Sequence, residues 1–228
     1  MAPSTPDGDR LIPDDPDALR EAALVMRAVR DRCVWTQQID HRALVPYLVE
    51  ESAELIDAVE DGSRDELREE LGDLLWQVLF HAEIASRDPD DPFDIDDVAR
   101  GLTDKMVRRH PHVFGDAVAT TPEEVLVHWN AAKAAEKSAR TSVLDGVSER
   151  MPSLALAQKL LSKASQVGVT PSVPPAGPPA SEAQLGEALL ALVATARANG
   201  WDAERALRER LRGLEREIRE AEASSRDR

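Results

Sequence analysis

Acidic side chains are concentrated in one stretch of the chain, from Glu50 to Asp73. Eleven Asp and Glu residues lie in these 24 positions and only two arginines oppose them, so the stretch carries −9 of the formal net charge of −15. Such a run is typical of a solvated helical face. Carboxylates that lie close together and partly buried would instead repel one another and require protons or a cation. The elements that position the acids decide between these interpretations.

Two predicted helices carry the acids. Apolar residues at helical spacing predict helices over 43–60 and 63–86, with a break at Asp61 and Gly62. A capping box of Ser63 with Glu66 is predicted to open the second helix. The second helix has one apolar face formed by Leu67, Leu71, Leu74 and Val78 and another formed by Trp76 and Phe80. A helix that is apolar on both sides is buried in a bundle. Its polar stripe, Glu70, Asp73 and Gln77, is therefore expected to point inward, and Gly72 is expected to allow a close helix approach.

The register of this predicted hairpin matches the acids in pairs. Glu51 and Asp73 are each eleven residues from Gly62, and Glu54 and Glu70 are each eight residues from it. Antiparallel helices with axes roughly 8–10 Å apart bring these carboxylates to two matched levels. A set of oxygen ligands favours a hard cation, so the geometry predicts Mg²⁺, or Mn²⁺ as a substitute.

The composition limits the class of protein. Ala, Leu, Glu and Arg dominate, and 42% of the 228 residues are hydrophobic, which favours a mainly helical fold with a core. Cys33 is the single cysteine, so an internal disulfide and a cysteine-based zinc site are excluded. The negative charge argues against a nucleic-acid partner. Without an apolar run of membrane length or a visible signal peptide, we expect a cytoplasmic protein with no membrane partner.

The organisation along the chain suggests a repeat. Residues 184–189 echo residues 70–75, which indicates a duplicated module whose second copy has diverged. Further helices are predicted over 17–33, 95–110 and 122–140, with a capping box at Thr121 and a stop near His110 because Pro111 follows. The expected regions are a disordered tail (1–16), a catalytic helical domain (17–140), a connecting helical segment (141–167), a Pro-rich linker (168–181) and a degenerate second module (182–228), helical through 182–223.

The ordered set of motifs resembles the MazG family of nucleoside triphosphate pyrophosphohydrolases. Its parts are Cys33-Val34-Trp35, Glu50-Glu51-x-x-Glu54, Glu69-Glu70-Leu71-Gly72-Asp73-Leu74-Leu75, Arg108-Arg109-His110-Pro111-His112-Val113-Phe114 and Ala157-Gln158-Lys159. The resemblance implies an all-α helical bundle completed by dimerisation. It implies Mg²⁺-dependent hydrolysis of nucleoside triphosphates to the monophosphate and pyrophosphate, with nucleotide-pool house-cleaning as the role.

The resemblance also assigns residues by position. It implies metal ligation by Glu51, Glu54, Glu70 and Asp73, with Glu50 as a water-activating candidate. The second module departs from the family pattern, because Gln184 and Glu187 stand where the metal pair would be and no Asp or Glu occurs from 151 to 181. Val34 replaces the usual proline of the first motif. We therefore expect only the first module to be catalytic.

Basic and aromatic residues are the candidates for binding the nucleotide. Lys105 and Arg109 are four residues apart on one predicted helix and Arg108 adjoins, which suits phosphate, although cations also favour a helix C-terminus. Trp129 and Lys133 offer a flat apolar surface beside a cation, or core packing plus a solvated lysine. Trp35 could stack on a base or pack in the core.

Two alternatives to a general nucleoside triphosphate pyrophosphohydrolase remain at this point. One is a narrower enzyme of the same superfamily, dUTPase-like or a phosphoribosyl-ATP pyrophosphohydrolase. The other is a non-catalytic helical interaction module in which the acidic hairpin is only a solvated face.

Overall fold

Helices form all the regular secondary structure in the part of the chain that the structure describes. The computed structural model describes residues 17–136, 141–170 and 177–226; the predicted tail, the end of the fifth predicted helix and the middle of the Pro-rich segment lie outside these ranges. The predicted all-α class is confirmed. The helices are α1 (Ala18–Arg32), α2 (Val45–Glu60), α3 (Arg64–Ala85), α4 (Ile95–Arg109), α5 (Pro111–Phe114), α6 (Pro122–Glu136), α7 (Ser153–Gln166), α8 (Glu182–Ala198) and α9 (Ala203–Arg226), with a 3-10 turn at Thr36–Gln38.

The chain forms two compact units that meet in sequence between Ala135 and Glu136. The first unit contains α1 to α5 and nearly all of α6, and the second contains α7 to α9. None of the described helices is long and apolar enough to cross a membrane. The domain boundaries expected from the sequence remain predictions.

Side-chain caps fix where α3 and α6 begin. The amide N–H of Glu66 donates to Ser63 Oγ at 3.2 Å, and the amide N–H of Ser63 donates to Glu66 Oε2 at 2.6 Å. These two bonds satisfy amide groups that the first turn of a helix leaves without partners. Thr121 and Glu124 exchange the same pair of bonds, each at 3.3 Å, at the start of α6. Both predicted capping boxes are confirmed.

The core of the first unit lies at one end of the α2–α3 hairpin. Phe80 is fully buried and packs with Met26 of α1, Leu44 before α2 and Leu79. Truncation of such a buried aromatic side chain costs about 3–5 kcal/mol. This cluster anchors the second half of α3, and the acidic first half of α3 extends from it alongside α2.

The opposite side of the hairpin is not covered within the first unit. Leu71 is 53% exposed, and Val49, Val59 and Val78 are also exposed. The predicted apolar face of α3 therefore exists, but nothing in the part of the chain that the structure describes covers its outer members, Leu71 and Val78. We call these four residues the hairpin apolar face.

Two local expectations are wrong. A Cβ added at Gly72 would meet nothing within 4 Å, so this glycine does not permit a close approach within the chain. At Gly62 an added Cβ would lie 2.6 Å from the Ala58 Cα, so the close contact occurs at the turn. The last helical segment is two helices, because residues 199–202 interrupt it and Gly200 adopts a φ of 71° that favours glycine.

Two further segments differ in detail. The predicted fourth helix stops where Pro111 requires, with α4 ending at Arg109, but Pro111 then opens the single-turn helix α5. Proline suits a first helical position because its missing N–H is not needed there. In the segment expected to connect the modules, only Ser153–Gln166 is helical.

Candidate functional site

Three carboxylates meet across the α2–α3 hairpin. Glu51 of α2 and Glu70 and Asp73 of α3 each offer an oxygen, and these oxygens all lie within 4.8 Å of one another. Glu51 and Glu70 are partly buried, and Asp73 is exposed. Within the described ranges this is the only group of three or more Asp, Glu, His or Cys side chains with a spacing that suits a metal ion. We call it the carboxylate cluster.

The carboxylate cluster disfavours its own ionisation. The pKa of Glu51 lies above the ordinary value for Glu, first because burial removes water and then because Asp73, Glu54, Glu70 and Glu50 add negative charge. The pKa of Glu70 is also raised, by burial and then by the charges of Glu54 and Asp73. Glu54 is exposed and lies outside the group of three, but its charge reaches both glutamates.

One buried oxygen of the carboxylate cluster has no hydrogen-bond partner. Oε2 of Glu70 is buried and accepts no hydrogen bond. A buried acceptor left unpaired costs about 1–3 kcal/mol, and more if it is charged. An unpaired buried oxygen beside two further carboxylates fits a hard divalent cation, for which oxygen donors are the preferred ligands.

Gln77 continues the polar face of α3 into the interior. It lies one turn beyond Asp73, its side chain is 3% exposed, and its Oε1 has no hydrogen-bond partner. The sequence places Gln77 in the polar stripe of α3 but does not predict it as a site residue. Its spacing of four residues from Asp73 and seven from Glu70 is the signal that could have identified it.

A second group combines a cation with an aromatic ring. The guanidinium of Arg109, at the end of α4, lies 4.9 Å from the ring centroid of Trp129 in α6. The ring of His110 meets Trp129 edge-on at 5.3 Å. Lys105 is half-buried one turn before Arg109, and Arg108 is exposed beside it. The structure thus joins two residues that the sequence treated as separate candidates.

Lys133 and Trp35 occupy different places. Lys133 is half-buried in α6, one turn beyond Trp129. Trp35 is 48% exposed and packs edge-on against Tyr47 at 6.1 Å and against Phe80 at 6.4 Å. Trp35 therefore rests on the core and also presents an open ring surface. The described contacts place the candidate residues in three groups: the carboxylate cluster, the Arg109–Trp129 pair and the Trp35 corner.

The structure pairs histidines that no sequence pattern predicts to be in contact. Nδ1 of His41 and Nδ1 of His81 lie 2.8 Å apart, with their rings stacked. The ring of His128 stacks at 6.1 Å on His112, whose Nδ1 is buried without a hydrogen-bond partner. These residues are far apart in sequence, so periodicity contains no signal for their pairing.

Gln184 and Glu187 are the residues of the second unit that correspond to Glu70 and Asp73, and their surroundings differ from those of the carboxylate cluster. Oε1 of Gln184 accepts a hydrogen bond from the amide N–H of Ala180 at 2.7 Å, and the amide N–H of Gln184 donates to Ser181 Oγ. Gln184 therefore belongs to the N-terminal cap of α8. Glu187, one turn later, is exposed.

Comparison with known proteins identifies the acidic hairpin with a described domain. A family model for the MazG nucleotide pyrophosphohydrolase domain matches residues 39–114. The matched range contains the whole carboxylate cluster together with Lys105, Arg108 and Arg109, and it excludes Trp35, Trp129 and Lys133.

Relatives extend the similarity beyond that domain. The chain is 48% identical over 204 residues to an uncharacterized 26.1 kDa protein of Streptomyces cacaoi, covering 90% of this chain and 82% of that protein. It is 46% identical over 176 residues to a nucleoside triphosphate pyrophosphohydrolase of Mycolicibacterium smegmatis, covering 74% of this chain and 54% of the relative. It is 46% identical over 169 residues to a protein of the same name from Mycobacterium tuberculosis, covering 74% of this chain and 49% of that relative. The alignments thus span about half the length of these two named relatives.

Proposed function

Because the chain belongs to the MazG family, we propose that it hydrolyses nucleoside or deoxynucleoside triphosphates to the monophosphate and pyrophosphate. The observation that carries the proposal is the carboxylate cluster, in which three oxygens lie within 4.8 Å and a buried oxygen of Glu70 has no partner. A solvated acidic face would neither bury that oxygen nor raise the pKa of Glu51 and Glu70.

The proposed ligands of a divalent cation are Glu51, Glu54, Glu70 and Asp73. Three of them already converge, and Glu54 is close enough for its charge to act on Glu51 and Glu70. The donor set is oxygen only, which favours Mg²⁺ and accepts Mn²⁺. When bound, such a cation neutralises phosphate oxygens and lowers the pKa of a water molecule.

The chain's own groups supply the remaining chemistry. The water oxygen forms a bond to the α-phosphorus while the bond from that phosphorus to the bridging oxygen breaks, which releases pyrophosphate. Glu50, an exposed carboxylate next to Glu51, is the proposed acceptor of the water proton. Lys105 and Arg109 stabilise the negative charge that develops on the leaving group, with Arg108 adding positive charge nearby.

Aromatic groups are proposed to hold the nucleoside. Trp129 lies under the guanidinium of Arg109, so one side of this ring is occupied by the cation that we assign to phosphate. Lys133 lies one turn away on the same helix and adds a second cation. Trp35 offers an open ring on which a base can stack, since about half of its surface is accessible.

A homodimer is part of the proposal. The hairpin apolar face exposes Leu71, Val49, Val59 and Val78, and a second copy would remove these side chains from water. Each fully buried aliphatic side chain contributes about 1.5–3 kcal/mol relative to exposure. Removal of non-canonical or damaged nucleotides from a cytoplasmic pool is the role that such an activity would serve.

Product analysis tests the proposal. The purified chain is incubated with Mg²⁺ and, separately, with each of the eight common ribo- and deoxyribonucleoside triphosphates. Equal amounts of monophosphate and pyrophosphate are expected, with loss of activity on chelation and recovery on adding Mg²⁺. Diphosphate and inorganic phosphate as products would contradict it. Activity on one nucleotide only would indicate the narrower enzyme, and absence of both turnover and Mg²⁺ binding would indicate a non-catalytic module.

A further inference from the structure

The last helix carries an apolar stripe that its own unit leaves half open. Leu207, Leu211, Leu214 and Ile218 of α9 are 43–51% exposed. Their spacing of four, three and four residues places them along one side of the helix and matches the core positions of a two-heptad coiled coil. The stripe extends about 17 Å along the helix axis.

Hydrogen bonds attach the beginning of α9 to its unit. The amide N–H of Ala203 donates to Gln158 Oε1 at 3.1 Å, and Glu204 Oε2 accepts from the amide N–H of Ala155 at 3.3 Å. The backbone carbonyl of Trp201 accepts from the Gln158 side chain at 2.9 Å. These bonds hold the first turn against α7, and the stripe begins with Leu207 one turn later.

The two edges of the stripe carry charges in a definite order. On one edge lie Arg210 and Glu217, which form an ion pair at 3.4 Å with both side chains exposed. On the other edge lie Arg208 and Glu215. Each edge therefore has a cation near the start of the stripe and an anion near its end. Charges that flank a coiled-coil seam determine partner choice and orientation.

We propose that α9 pairs antiparallel with α9 of a second copy of this chain. In that arrangement Leu207 faces the partner's Ile218, and Leu211 faces the partner's Leu214, so every layer of the seam is apolar. Along one edge Arg210 meets the partner's Glu217, and along the other Arg208 meets the partner's Glu215. The antiparallel order makes all four flanking pairs opposite in charge.

The parallel order fits less well. In a parallel pair the flanking contacts join residues five positions apart, so Arg210 would meet the partner's Glu215 but Glu217 would meet the partner's Glu222. One contact is then attractive and the other repulsive. This interface belongs to the second unit and is separate from the proposed activity and from the hairpin apolar face.

Charge exchange between two chains tests the pairing. Arg210→Glu and Glu217→Arg are made in separate full-length chains, and molar mass is measured by light scattering across a range of concentrations. Each variant alone is expected to weaken association at least tenfold, since two flanking pairs become like-charged. An equimolar mixture of the two variants is expected to regain association. In the pair of unlike chains, both contacts between positions 210 and 217 join Arg to Glu. Each variant breaks its own Arg210–Glu217 pair, so only contacts between chains can restore association.

The controls use the opposite side of α9. Arg216→Glu and Glu209→Arg make the same charge changes about half a turn from the stripe, and they should leave the association constant within twofold. Release of monophosphate should be unchanged in every variant, so a failure of this proposal is distinguishable from a failure of the proposed activity.

Unchanged association in Arg210→Glu would overturn the interface. Stronger association in Glu217→Arg alone would overturn the antiparallel order, because only the parallel pair gains an attraction from that change.

Discussion

Glu51 and Asp73 face each other across the α2–α3 hairpin at equal sequence distances from Gly62, with carboxylate oxygens within 4.8 Å. The charge of Asp73 is the largest electrostatic contribution to the raised pKa of Glu51, after burial. Two like charges held this close destabilise the metal-free fold and favour a cation. The contact between Glu51 and Asp73 therefore lowers the free energy of unfolding without metal, and it should raise that free energy when a cation is bound.

Neutralising Asp73 should separate these two effects. Asp73→Asn is expected to raise the melting temperature in chelator, because repulsion with Glu51 is relieved. It is expected to diminish the stabilisation by Mg²⁺, which follows from preferential binding to the folded state. Release of monophosphate should fall about a hundredfold or more, since the cation supplies several kcal/mol to the transition state.

The matched control for that change is Asp57→Asn, an identical substitution at an exposed position of α2. It should leave the activity and the effect of Mg²⁺ almost unchanged. Equal activity in the Asp73 and Asp57 variants would rule out a metal site at the carboxylate cluster.

The pH dependence of stability should reflect the same cluster. Because the pKa of Glu51 and of Glu70 is raised in the folded state, the folded protein holds protons that the unfolded chain has released. The free energy of unfolding therefore decreases as pH rises from the ordinary pKa of Glu to the raised pKa values of these two residues. In chelator, the stability gained by Asp73→Asn should be large at pH 7 and should shrink toward pH 4. Denaturant titrations at several pH values measure this difference, and a gain independent of pH would contradict it.

The glycines at 62 and 72 should respond in opposite directions. Gly62→Ala places a Cβ 2.6 Å from the Ala58 Cα and 2.7 Å from its carbonyl oxygen, so the turn must shift. We expect a loss of about 1–3 kcal/mol in the free energy of unfolding. Gly72→Ala meets no atom within 4 Å and should gain up to about 1 kcal/mol from helix propensity. Urea denaturation compares the two variants, and equal effects on the free energy of unfolding would contradict the steric conflict at Gly62.

The guanidinium of Arg109 should matter through its stacking as well as its charge. Arg109→Lys keeps the charge but loses the planar contact with Trp129, which lies 4.9 Å away. A contact of this kind contributes about 0.5–2 kcal/mol, so KM for the nucleotide should rise by about twofold to thirtyfold. Arg108→Lys, at the exposed neighbouring position, is the control and should change KM less. Equal changes in KM would show that only charge is used at both positions.

The second unit is expected to contribute no active site. Glu187→Gln removes an exposed carboxylate at the position that echoes Asp73, and turnover should stay within about twofold of the unmodified chain. Glu70→Gln is the comparison, because it removes a member of the carboxylate cluster and should nearly abolish turnover. Loss of activity in the Glu187 variant, with circular dichroism unchanged, would refute the assignment of catalysis to the first unit alone.

Local signals made the hairpin predictable. The capping pair Ser63 and Glu66 fixes the start of α3, and helical spacing on either side of Gly62 fixes which carboxylates face each other. Both signals act over a few turns of helix, so no knowledge of the remaining chain is needed to interpret them.

Tertiary relationships were not predictable in the same way. The exposure of Leu71 and the open space beside Gly72 depend on what packs against α3, which helical periodicity does not specify. The break at Gly200 was missed because apolar residues continue with helical spacing on both sides of it. The stacking of Arg109 on Trp129 joins residues twenty positions apart in sequence, and it depends on how α4, α5 and α6 are oriented.

The short connection between α2 and α3 bears on how the protein reaches its native state. All four proposed ligands lie in a stretch of 23 residues that reverses direction over residues 61–63. Contacts between residues so near in sequence form with little loss of chain entropy and early in folding. Repulsion among the acids would then already act in the folding transition state. Divalent cations should consequently change the rate at which the chain folds as well as the stability of the finished protein.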